Sequence, residues 1–485
     1  MKRFPRPRRF DYNLVVIGAG SAGLVSAYIA AAVKAKVVLI EKHRMGGDCL
    51  NTGCVPSKAL IRTAKMLAYG RRAAEFGLTR TETEFDFAAV MERVQRVIKQ
   101  VEPHDSIERY TALGVECLTG EARVTSPYTV EVNGRVLTTR GIILATGAAP
   151  FVPPIPGLEE AGYLTSDTLW QLREKPERLV ILGGGPIGAE LTQAFARLGC
   201  RVTQVEMAPR IMSREDPEVS ALIRARFEAE GVRVLTDHAA REVVVDNGEK
   251  ILVCEHQGTP VRIPFDRILV AVGRKPNVKG FGLEELGVRI SERGTVAADP
   301  FLRTNIPTIF CAGDVAGPYQ FTHTAGHQAW YAAVNALFSP LKAFKVDDRV
   351  IPWCTFTDPE VARVGLSEEE AHRQRIPCEV TRYPLEDLDR AIADGETCGF
   401  VKILTVPGKD RILGVTIVGP HAGDLLAEFV LAMKHGIGLN KILGTIHIYP
   451  TLAEVNKMAA GAWKRDHAPR QLLAWLEKFH AWRRG

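Results

Sequence analysis

Two cysteines of this chain are close enough in sequence to form a redox pair. Cys49 and Cys54 stand five positions apart in residues 46–58, which read GGDCLNTGCVPSK. On a regular helix, residues five apart are separated by about 140° around the axis and about 7.5 Å along it. A disulfide requires Cα atoms about 4.4 to 6.8 Å apart and converging Cβ vectors. A regular helix therefore cannot join this pair.

The residues around the cysteines suggest how the pair could still meet. Gly53 can unwind the start of a helix, and Pro56 suits its first turn. This arrangement places Cys49 in a distorted first turn and Cys54 near the helix N-terminus, where backbone amides favour a thiolate. Such positions lower a thiol pKa from about 8.5 to roughly 3.5 to 7.5. The alternative, two buried and inert cysteines, is disfavoured by their place beside a nucleotide-binding loop.

That loop belongs to a βαβ unit of the dinucleotide-binding kind. Glycines permit a tight turn and a close approach to a pyrophosphate, the helix N-terminus donates amides to the anion, and a terminal carboxylate accepts from a ribose hydroxyl. The predicted elements are a strand over residues 14–17, a turn with Gly18, Gly20 and Gly23, a helix, and a strand over residues 37–40 closed by Glu41.

The same plan occurs a second time. Its elements are a strand over residues 179–182, a turn with Gly183, Gly185 and Gly188, a helix through Leu198, and a strand over residues 202–205 closed by Glu206. In both copies the acidic residue follows the first glycine by 23 positions. One glycine motif alone is weak evidence, but two with matched acidic residues strongly indicate two dinucleotide sites.

The repeat extends beyond the glycine motifs. An apolar strand over residues 142–144 leads into Ala145-Thr146-Gly147, and one over residues 268–270 leads into Ala271-Val272-Gly273. We therefore expect an α/β fold with two Rossmann-like domains, one inserted in the other. Proline-rich residues 150–156 and the region of Pro276 are the expected crossings.

Composition narrows the class of protein. The 485 residues, 46% hydrophobic and 24% charged, suffice for roughly three domains. Nine cysteines without a signal peptide indicate a reducing, cytoplasmic compartment, and no apolar run is long enough to span a membrane. The net charge of +6 includes Lys2, Arg3, Arg6, Arg8 and Arg9, interpreted as a solvated basic tail. No nucleic-acid partner and no resident metal ion are predicted.

These residues resemble the pyridine nucleotide-disulfide oxidoreductases, the flavoenzyme family of dihydrolipoamide dehydrogenase, glutathione reductase and mercuric reductase. The resemblance runs from about Tyr12 to about Lys457. Residues 46–58 resemble the family's redox motif, with Asp48 and Thr52 as mild variants. The resemblance implies that the first βαβ unit, together with Gly47, binds FAD and that the second binds the nicotinamide cofactor. It also implies that Cys54 forms a charge-transfer pair with the flavin while Cys49 attacks the substrate.

The resemblance implies roles for further residues. Lys58 would lie near the flavin and pair with Glu190, and Asp314 in residues 309–314 would bond the ribityl chain. Thr146 and Gly147 match another family motif, and residues 356–365 resemble the start of a domain that forms a homodimer and sends a catalytic residue into the partner. The predicted domains are FAD-binding (1–152 and 276–350), NAD(P)-binding (153–275) and an α+β interface domain (351–485).

One position departs from the family pattern. Residues 447–454 read HIYPTLAE, so Tyr449 stands where the disulfide reductases carry an acid-base histidine, and Glu454 matches the glutamate that orients it. A phenol with a pKa near 10 is a poor proton shuttle at neutral pH, whereas an imidazole near 6.5 is a good one. General acid-base help is worth about 10² to 10⁴ in rate. His447 could substitute, or could be a packed residue displaced by one pleat.

Several functional hypotheses remain at this point. Dihydrolipoamide dehydrogenase-like oxidoreduction is the leading one. Mercuric-reductase-like reduction of Hg(II) or another acceptor is the alternative, because those enzymes also carry tyrosine here, although their C-terminal vicinal cysteines are absent and the last cysteine is Cys398. A flavin-bound redox sensor is the hypothesis of another class. Glu206 favours NADH, while Arg210 and Arg214 could tolerate NADPH.

The C-terminal tail adds an amphipathic pattern. Its apolar residues recur at helical spacing beside cationic ones: Leu472, Trp475, Leu476, Phe479 and Trp482, with Lys478, Arg483 and Arg484. Packing on the dimer is the first interpretation. Contact with a membrane surface or another partner is the weaker alternative.

Overall fold

The computed structural model describes residues 4–485, so Lys2 and Arg3 of the basic tail lie outside the described residues. The chain forms two compact units. The first contains the residues up to Ala73, Thr79–Ile211 and Glu230–Asp347, and the second contains Ala74–Leu78, Met212–Ala229 and Asp348–Gly485. The three-domain division given above remains a prediction.

The described residues form helices of very different lengths. The α-helices are α1 (Ser21–Ala32), α2 (Gly47–Asn51), α3 (Cys54–Arg71), α4 (Phe87–Val101), α5 (Ile107–Ala112), α6 (Leu158–Ala161), α7 (Pro186–Arg197), α8 (Pro217–Ala229), α9 (Leu283–Leu286), α10 (Thr322–Phe338), α11 (Glu368–Arg373), α12 (Asp389–Ala393), α13 (Ala422–His435), α14 (Leu439–Leu443), α15 (Glu454–Asp466) and α16 (Arg470–Arg484). Short 3₁₀ helices cover Ala73–Phe76, Glu102–Asp105, Leu169–Gln171 and Leu385–Asp387.

The strands of the described residues belong to five sheets. They are β1 (Tyr12–Ile17), β2 (Val37–Glu41), β3 (Val115–Thr119), β4 (Ala122–Ser126), β5 (Thr129–Val132), β6 (Arg135–Leu144), β7 (Ala148–Pro150), β8 (Arg178–Leu182), β9 (Arg201–Val205), β10 (Arg233–Leu235), β11 (Ala239–Asp246), β12 (Glu249–His256), β13 (Thr259–Phe265), β14 (Arg267–Val270), β15 (Arg274–Pro276), β16 (Ile309–Cys311), β17 (Pro352–Thr355), β18 (Glu360–Gly365), β19 (Glu379–Pro384), β20 (Phe400–Thr405) and β21 (Ile412–Gly419).

The first parallel sheet of unit one has the order β3-β2-β1-β6-β16, and β4 and β5 extend it as antiparallel strands from β6. Its central strands are apolar and buried on both faces, as expected for a parallel sheet covered by helices. Val15 pairs with Val38 on one side and Ile142 on the other. The carboxyl ends of β1, β6 and β16 therefore meet at one edge, where Gly18, Ala145 and Asp314 follow.

A second parallel sheet of unit one repeats the first on a smaller scale. Its order is β10-β9-β8-β14, accompanied by the antiparallel sheet β11-β12-β13. The short antiparallel pair β7-β15 connects the segments that lead into and out of this region, with Ala148 opposite Pro276. Pro150, the first residue of one predicted crossing, ends β7, and Pro276 of the other ends β15.

Unit two is built around the antiparallel sheet β17-β18-β21-β20-β19. Strands β20 and β21 are almost wholly buried, and helices α13 and α15 pack into the same apolar cluster through Phe429 and Trp463. The two units together confirm the mixed α/β fold expected from the sequence. Among residues 4–485, no helix is long and apolar enough to cross a membrane.

Candidate active site

The two cysteines lie on consecutive helices of unit one. Cys49 is in the short helix α2, and Cys54 is the first residue of the long helix α3. Gly53 separates the helices with φ −117° and ψ −107°, which confirms the predicted break in the helix. The indole Nε1 of Trp170 donates to Thr52 O at 2.9 Å and so fixes the connection between the helices.

The two thiols have opposite proton affinities. Hydrogen bonding from Cys49 lowers the pKa of Cys54 to about 6, helped by Thr322 and by the positive charge of Lys58. The same hydrogen bond and burial raise the pKa of Cys49. In the reduced state, the proton therefore stays on Cys49, and Cys54 carries the negative charge.

Two helix N-termini converge on the Cys54 sulfur. Cys54 begins α3, and its Sγ lies 3.4 Å from Oγ1 of Thr322, which begins α10. Each N-terminus carries partial positive charge from unpaired amides. Thr322 was not identified from the sequence, because it is 268 positions away from its sulfur partner.

Lys58 and Glu190 are brought together as expected. Lys58 Nζ lies 2.7 Å from Glu190 Oε2, and the Glu190 side chain is nearly buried. Lys58 is one turn along α3 from Cys54, so its ammonium stabilises the thiolate. Lys58 in turn offsets the charge of the Glu190 carboxylate on α7, which would be costly to leave buried and unpaired.

The glycine turns of the first copy form a cradle that only glycine backbone allows. Gly18 has φ +99°, and a Cβ there would lie 2.3 Å from Ala145 O. A Cβ on Gly47 would lie 2.6 Å from the Cα of Gly20. Within the described chain, no side-chain cap hydrogen bond forms at Gly20, the N-cap of α1. These features fit the pyrophosphate of a dinucleotide.

The second copy repeats this geometry. Gly183 has φ +118°, and a Cβ there would lie 2.4 Å from Ala271 O, while one on Gly188 would lie 2.1 Å from Gly183 O. Gly185 is the N-cap of α7, again with no side-chain cap among the described residues.

The acidic residues that close the strands are held in the same way. Glu41 accepts from Ala19 N at 2.7 Å and from His43 N at 2.9 Å. Glu206 accepts from Gly184 N at 2.5 Å and from Ala208 N at 2.8 Å. Each carboxylate has lone pairs left for a ribose hydroxyl.

A cavity of about 600 Å³ adjoins the first of these carboxylates. Besides Glu41, its lining includes Glu102, Ser106, Cys117 and Thr119. This space lies beside Glu41, the residue predicted to accept from a ribose hydroxyl. The 102–119 part of the lining was missed at the level of sequence, since it carries no motif.

Asp314 lies beyond the carboxyl end of β16, beside an arginine that the sequence did not single out. Burial raises the pKa of the Asp314 carboxyl to about 6, against the opposing charge of Arg274. Arg274 Nε lies 3.7 Å from Asp314 Oδ2, and its Nη2 donates both to Asp48 and to Ala148 O. Arg274 thus links the redox motif to the residue expected to bond the ribityl chain.

The two small-residue turns have defined contacts. Thr146 Oγ1 donates to Asn277 O at 2.7 Å, and Asn277 Nδ2 donates back to Thr146 O at 2.9 Å. Gly147 and Gly273, one in each turn, both have positive φ. The Thr146–Asn277 pair closes the junction beside the small β7-β15 sheet.

Tyr449 lies in unit two in a different kind of environment. Its side chain is largely exposed, and its hydroxyl donates to Asp389 Oδ2 at 3.1 Å. That hydrogen bond raises the pKa of the phenol above its usual range. The neighbouring Ile446 and Ile448 are 93% and 79% exposed, so the segment forms an uncovered apolar edge.

Glu454 and His447 each bond to a residue other than Tyr449. Glu454 is buried, and its Oε2 accepts from Thr451 N at 3.3 Å. The imidazole Nε2 of His447 lies 3.1 Å from Glu428 Oε1, and Nδ1 lies 3.1 Å from Thr445 O. The His447 side chain is 7% exposed. This geometry is that of a packed, paired histidine.

Comparison with known families settles the class. A model described as pyridine nucleotide-disulphide oxidoreductase matches residues 12–329, and one described as the dimerisation domain of that family matches residues 351–460. The chain belongs to this family.

Relatives of this oxidoreductase divide between two named activities. It is 34% identical over 456 residues to the mercuric reductase of Staphylococcus aureus, covering 94% of this chain and 83% of that one. It is 35% identical over 450 residues to the dihydrolipoyl dehydrogenase of Chlamydia muridarum, covering 92% and 95%. The HOCl-induced flavoprotein disulfide reductase RclA from Escherichia coli superposes with a TM-score of 0.82 at 27% identity, covering 93% and 99%.

The family assignment fixes the cofactors and the reaction class. This enzyme is a flavin-dependent pyridine nucleotide-disulfide oxidoreductase that uses FAD and NAD(P)H. Its dimerisation domain supports a homodimer. Among residues 4–485, no group of three or more His, Cys, Asp or Glu side chains is placed to hold a metal ion.

Proposed function

We propose that this enzyme uses NADH to reduce a small disulfide, with Cys54 on the flavin side of the dithiol and Cys49 on the substrate side. The position of Cys54 carries the proposal: the residue begins α3, its Sγ lies 3.4 Å from Thr322 Oγ1 at the start of α10, and the pKa of the thiol is lowered. A thiolate at the N-termini of two helices is suited to accept and hold charge next to an electron carrier. Bound FAD would supply the acceptor for the nicotinamide hydride and would pass two electrons to the disulfide. Lys58, paired with Glu190, would offset the negative charge that develops there.

The electron balance follows from the dithiol. Two electrons and one proton open the Cys49–Cys54 disulfide into a Cys54 thiolate and a Cys49 thiol. Cys49, once deprotonated, attacks one sulfur of the substrate, and the first substrate thiol leaves. Cys54 then attacks Cys49 Sγ, which restores the internal disulfide and releases the second thiol. The sum is NADH, a proton and one disulfide converted to NAD⁺ and two thiols.

Tyr449 restricts which disulfide is suitable. Its phenol, held by Asp389 with a raised pKa, is a poor donor to a departing thiolate. A thiol of low pKa leaves faster and needs less protonation. We therefore propose that the preferred substrates are disulfides with acidic leaving thiols, and that lipoamide and glutathione disulfide are slower.

The test is NADH oxidation by the purified holoenzyme with dithiobis(nitrobenzoate), lipoamide and glutathione disulfide in parallel. We expect turnover of the nitrobenzoate disulfide to exceed that of lipoamide by about 10² or more. Equal or faster lipoamide turnover would contradict the restriction. NADH reduction of the dithiol with no turnover of any disulfide would favour the redox-sensor alternative.

The nicotinamide preference rests on Glu206. Its carboxylate is fixed at the end of β9 by the amides of Gly184 and Ala208, where it would accept from a free ribose hydroxyl and repel a phosphate. We propose NADH as the physiological donor. A lower KM for NADPH than for NADH would overturn this part.

Reduction of Hg(II) is a second candidate. It is favoured by the soft thiolate sulfur of Cys54, by Tyr449 at the position where mercuric reductases also carry tyrosine, and by the similarity to mercuric reductases. Two electrons from NADH would convert one Hg(II) to elemental mercury. Hg(II)-dependent NADH oxidation that falls in Tyr449→Phe, with nitrobenzoate disulfide turnover unchanged, would establish it. No Hg(II)-dependent oxidation in the wild type would exclude it.

We also propose a reducing, cytoplasmic location, since an odd number of cysteines spread along the chain does not suit a disulfide-stabilised secreted protein. The three-domain division remains part of this proposal. Its boundaries can be checked by limited proteolysis at residues 153–157 and near Pro276.

A further inference from the structure

The last helix presents an apolar face that the rest of the described chain does not bury. Within the described residues, no side chain of α16 (Arg470–Arg484) is buried. Leu472, Trp475 and Trp482 are 50%, 58% and 76% exposed. A 15-residue helix is only marginally stable by itself in water, and helices in proteins gain most of their stability from packing an apolar face. We therefore expect the apolar face of α16 to pack against another surface.

The helix presents that face as one continuous stripe. Leu472, Trp475, Leu476, Phe479 and Trp482 recur at intervals of three and four residues, which places them on one side. Trp475 and Phe479 stack with ring centroids 5.5 Å apart. Two tryptophans and a phenylalanine in one short stripe are typical of helices that lie at a membrane–water boundary.

The charges of the helix indicate the chemistry of its partner. Four cationic residues accompany the stripe, with Glu477 as the single acid: Arg470, Lys478, Arg483 and Arg484. A second copy of this chain carries a net charge of +6 and offers no overall negative surface to match them. A bilayer with anionic headgroups offers both that charge and an apolar layer for the rings.

Helix α16 also lies outside the residues that match the family's two domains. The match to the dimerisation domain ends at residue 460, and α16 begins at Arg470. We propose that α16 binds an anionic lipid surface, lying in the headgroup plane with its aromatic stripe toward the acyl chains. The enzyme would then be a peripheral, reversibly membrane-associated oxidoreductase.

The experiment is co-sedimentation of the full-length holoenzyme with vesicles of equal parts phosphatidylglycerol and phosphatidylcholine, compared with phosphatidylcholine alone. We expect binding to the anionic vesicles and at least about tenfold weaker binding to the neutral ones. The double variant Trp475→Ser/Trp482→Ser should bind at least about tenfold more weakly, with a loss of the blue shift in tryptophan emission. Ala474→Ser/Ala481→Ser, on the opposite face, is the matched control and should bind like wild type.

A chain ending at residue 468 completes the test. We expect it to lose vesicle binding while its dimeric state and NADH-dependent turnover stay unchanged. Wild type that fails to bind anionic vesicles would overturn the proposal, as would vesicle binding that survives the truncation. If the wild type does not bind vesicles and the truncated chain becomes monomeric, the apolar stripe instead packs against a second copy of the chain.

Discussion

The dithiol of unit one and the tyrosine segment of unit two differ sharply in how their protons are controlled. Cys54 is held by Cys49, Thr322 and the nearby Lys58, and its pKa is lowered to about 6. Tyr449 is 67% exposed and held by one hydrogen bond to Asp389. Three neighbouring groups stabilise the Cys54 thiolate, whereas a single solvent-exposed hydrogen bond holds the Tyr449 phenol only weakly. Under the proposed function, the dithiol of unit one therefore stores the electrons, and Tyr449 of unit two is a poor proton donor.

The largest expected effect comes from removing the low-pKa thiol. Cys54→Ser should lower NADH-dependent disulfide turnover by more than about 10³-fold, because the internal disulfide can no longer form. The long-wavelength charge-transfer absorbance of the NADH-reduced protein should vanish with it. Cys398→Ser, at an exposed cysteine of unit two, should keep both properties. Residual turnover above a tenth of wild type would show that electrons bypass the pair.

Replacing Tyr449 with a better proton donor should raise the rate of disulfide turnover. Tyr449→His supplies an imidazole near pKa 6.5 where a phenol stands, and we expect lipoamide turnover to rise by about 10². Tyr449→Phe is the control, since it removes the hydroxyl without adding an acid-base group. An unchanged rate in Tyr449→His would mean that proton transfer does not limit the reaction.

The cation beside the thiolate should have an intermediate effect. Lys58→Gln removes the positive charge that lowers the pKa of Cys54, so this pKa should rise by about one unit. The thiolate would then be lost at a higher pH as the solution is acidified. A spectrophotometric pH titration of the reduced protein measures the shift. Lys65→Gln, two turns further along α3, should titrate like wild type.

The smallest expected effect concerns the hydroxyl that contacts the sulfur. Thr322→Val removes the partner 3.4 Å from Cys54 Sγ and should raise the pKa of that thiol by about half a unit. Thr322→Ser retains a hydroxyl, so the pKa of the Cys54 thiol should stay close to its wild-type value. If the valine and serine variants titrate identically, the contact does not influence the thiolate.

Local patterns predicted the framework of unit one well. The strands expected at residues 14–17 and 179–182 are confirmed as β1 and β8, each longer by one or two residues at its start. The break at Gly53 is also confirmed. These features depend on neighbours within about ten residues, so the sequence alone contains the necessary information.

Contacts between distant parts of the chain were not predictable in this way. Thr322 reaches Cys54 across 268 positions, and Asp389 reaches Tyr449 across 60. Neither residue stands in a motif, and each becomes a partner only through the tertiary fold. The pairing of His447 with Glu428 was likewise hidden, because it depends on the packing of α13 against the following segment.

The most direct test of the account is a pH titration of the charge-transfer absorbance in the NADH-reduced wild type. A thiol whose pKa is depressed on folding is charged above its folded pKa and loses that charge as the pH falls through it. We predict full absorbance at neutral pH and a midpoint near pH 6. A midpoint near the ordinary thiol value of about 8.5, or no such absorbance at any pH, would contradict the assignment of Cys54 as the flavin-side thiolate.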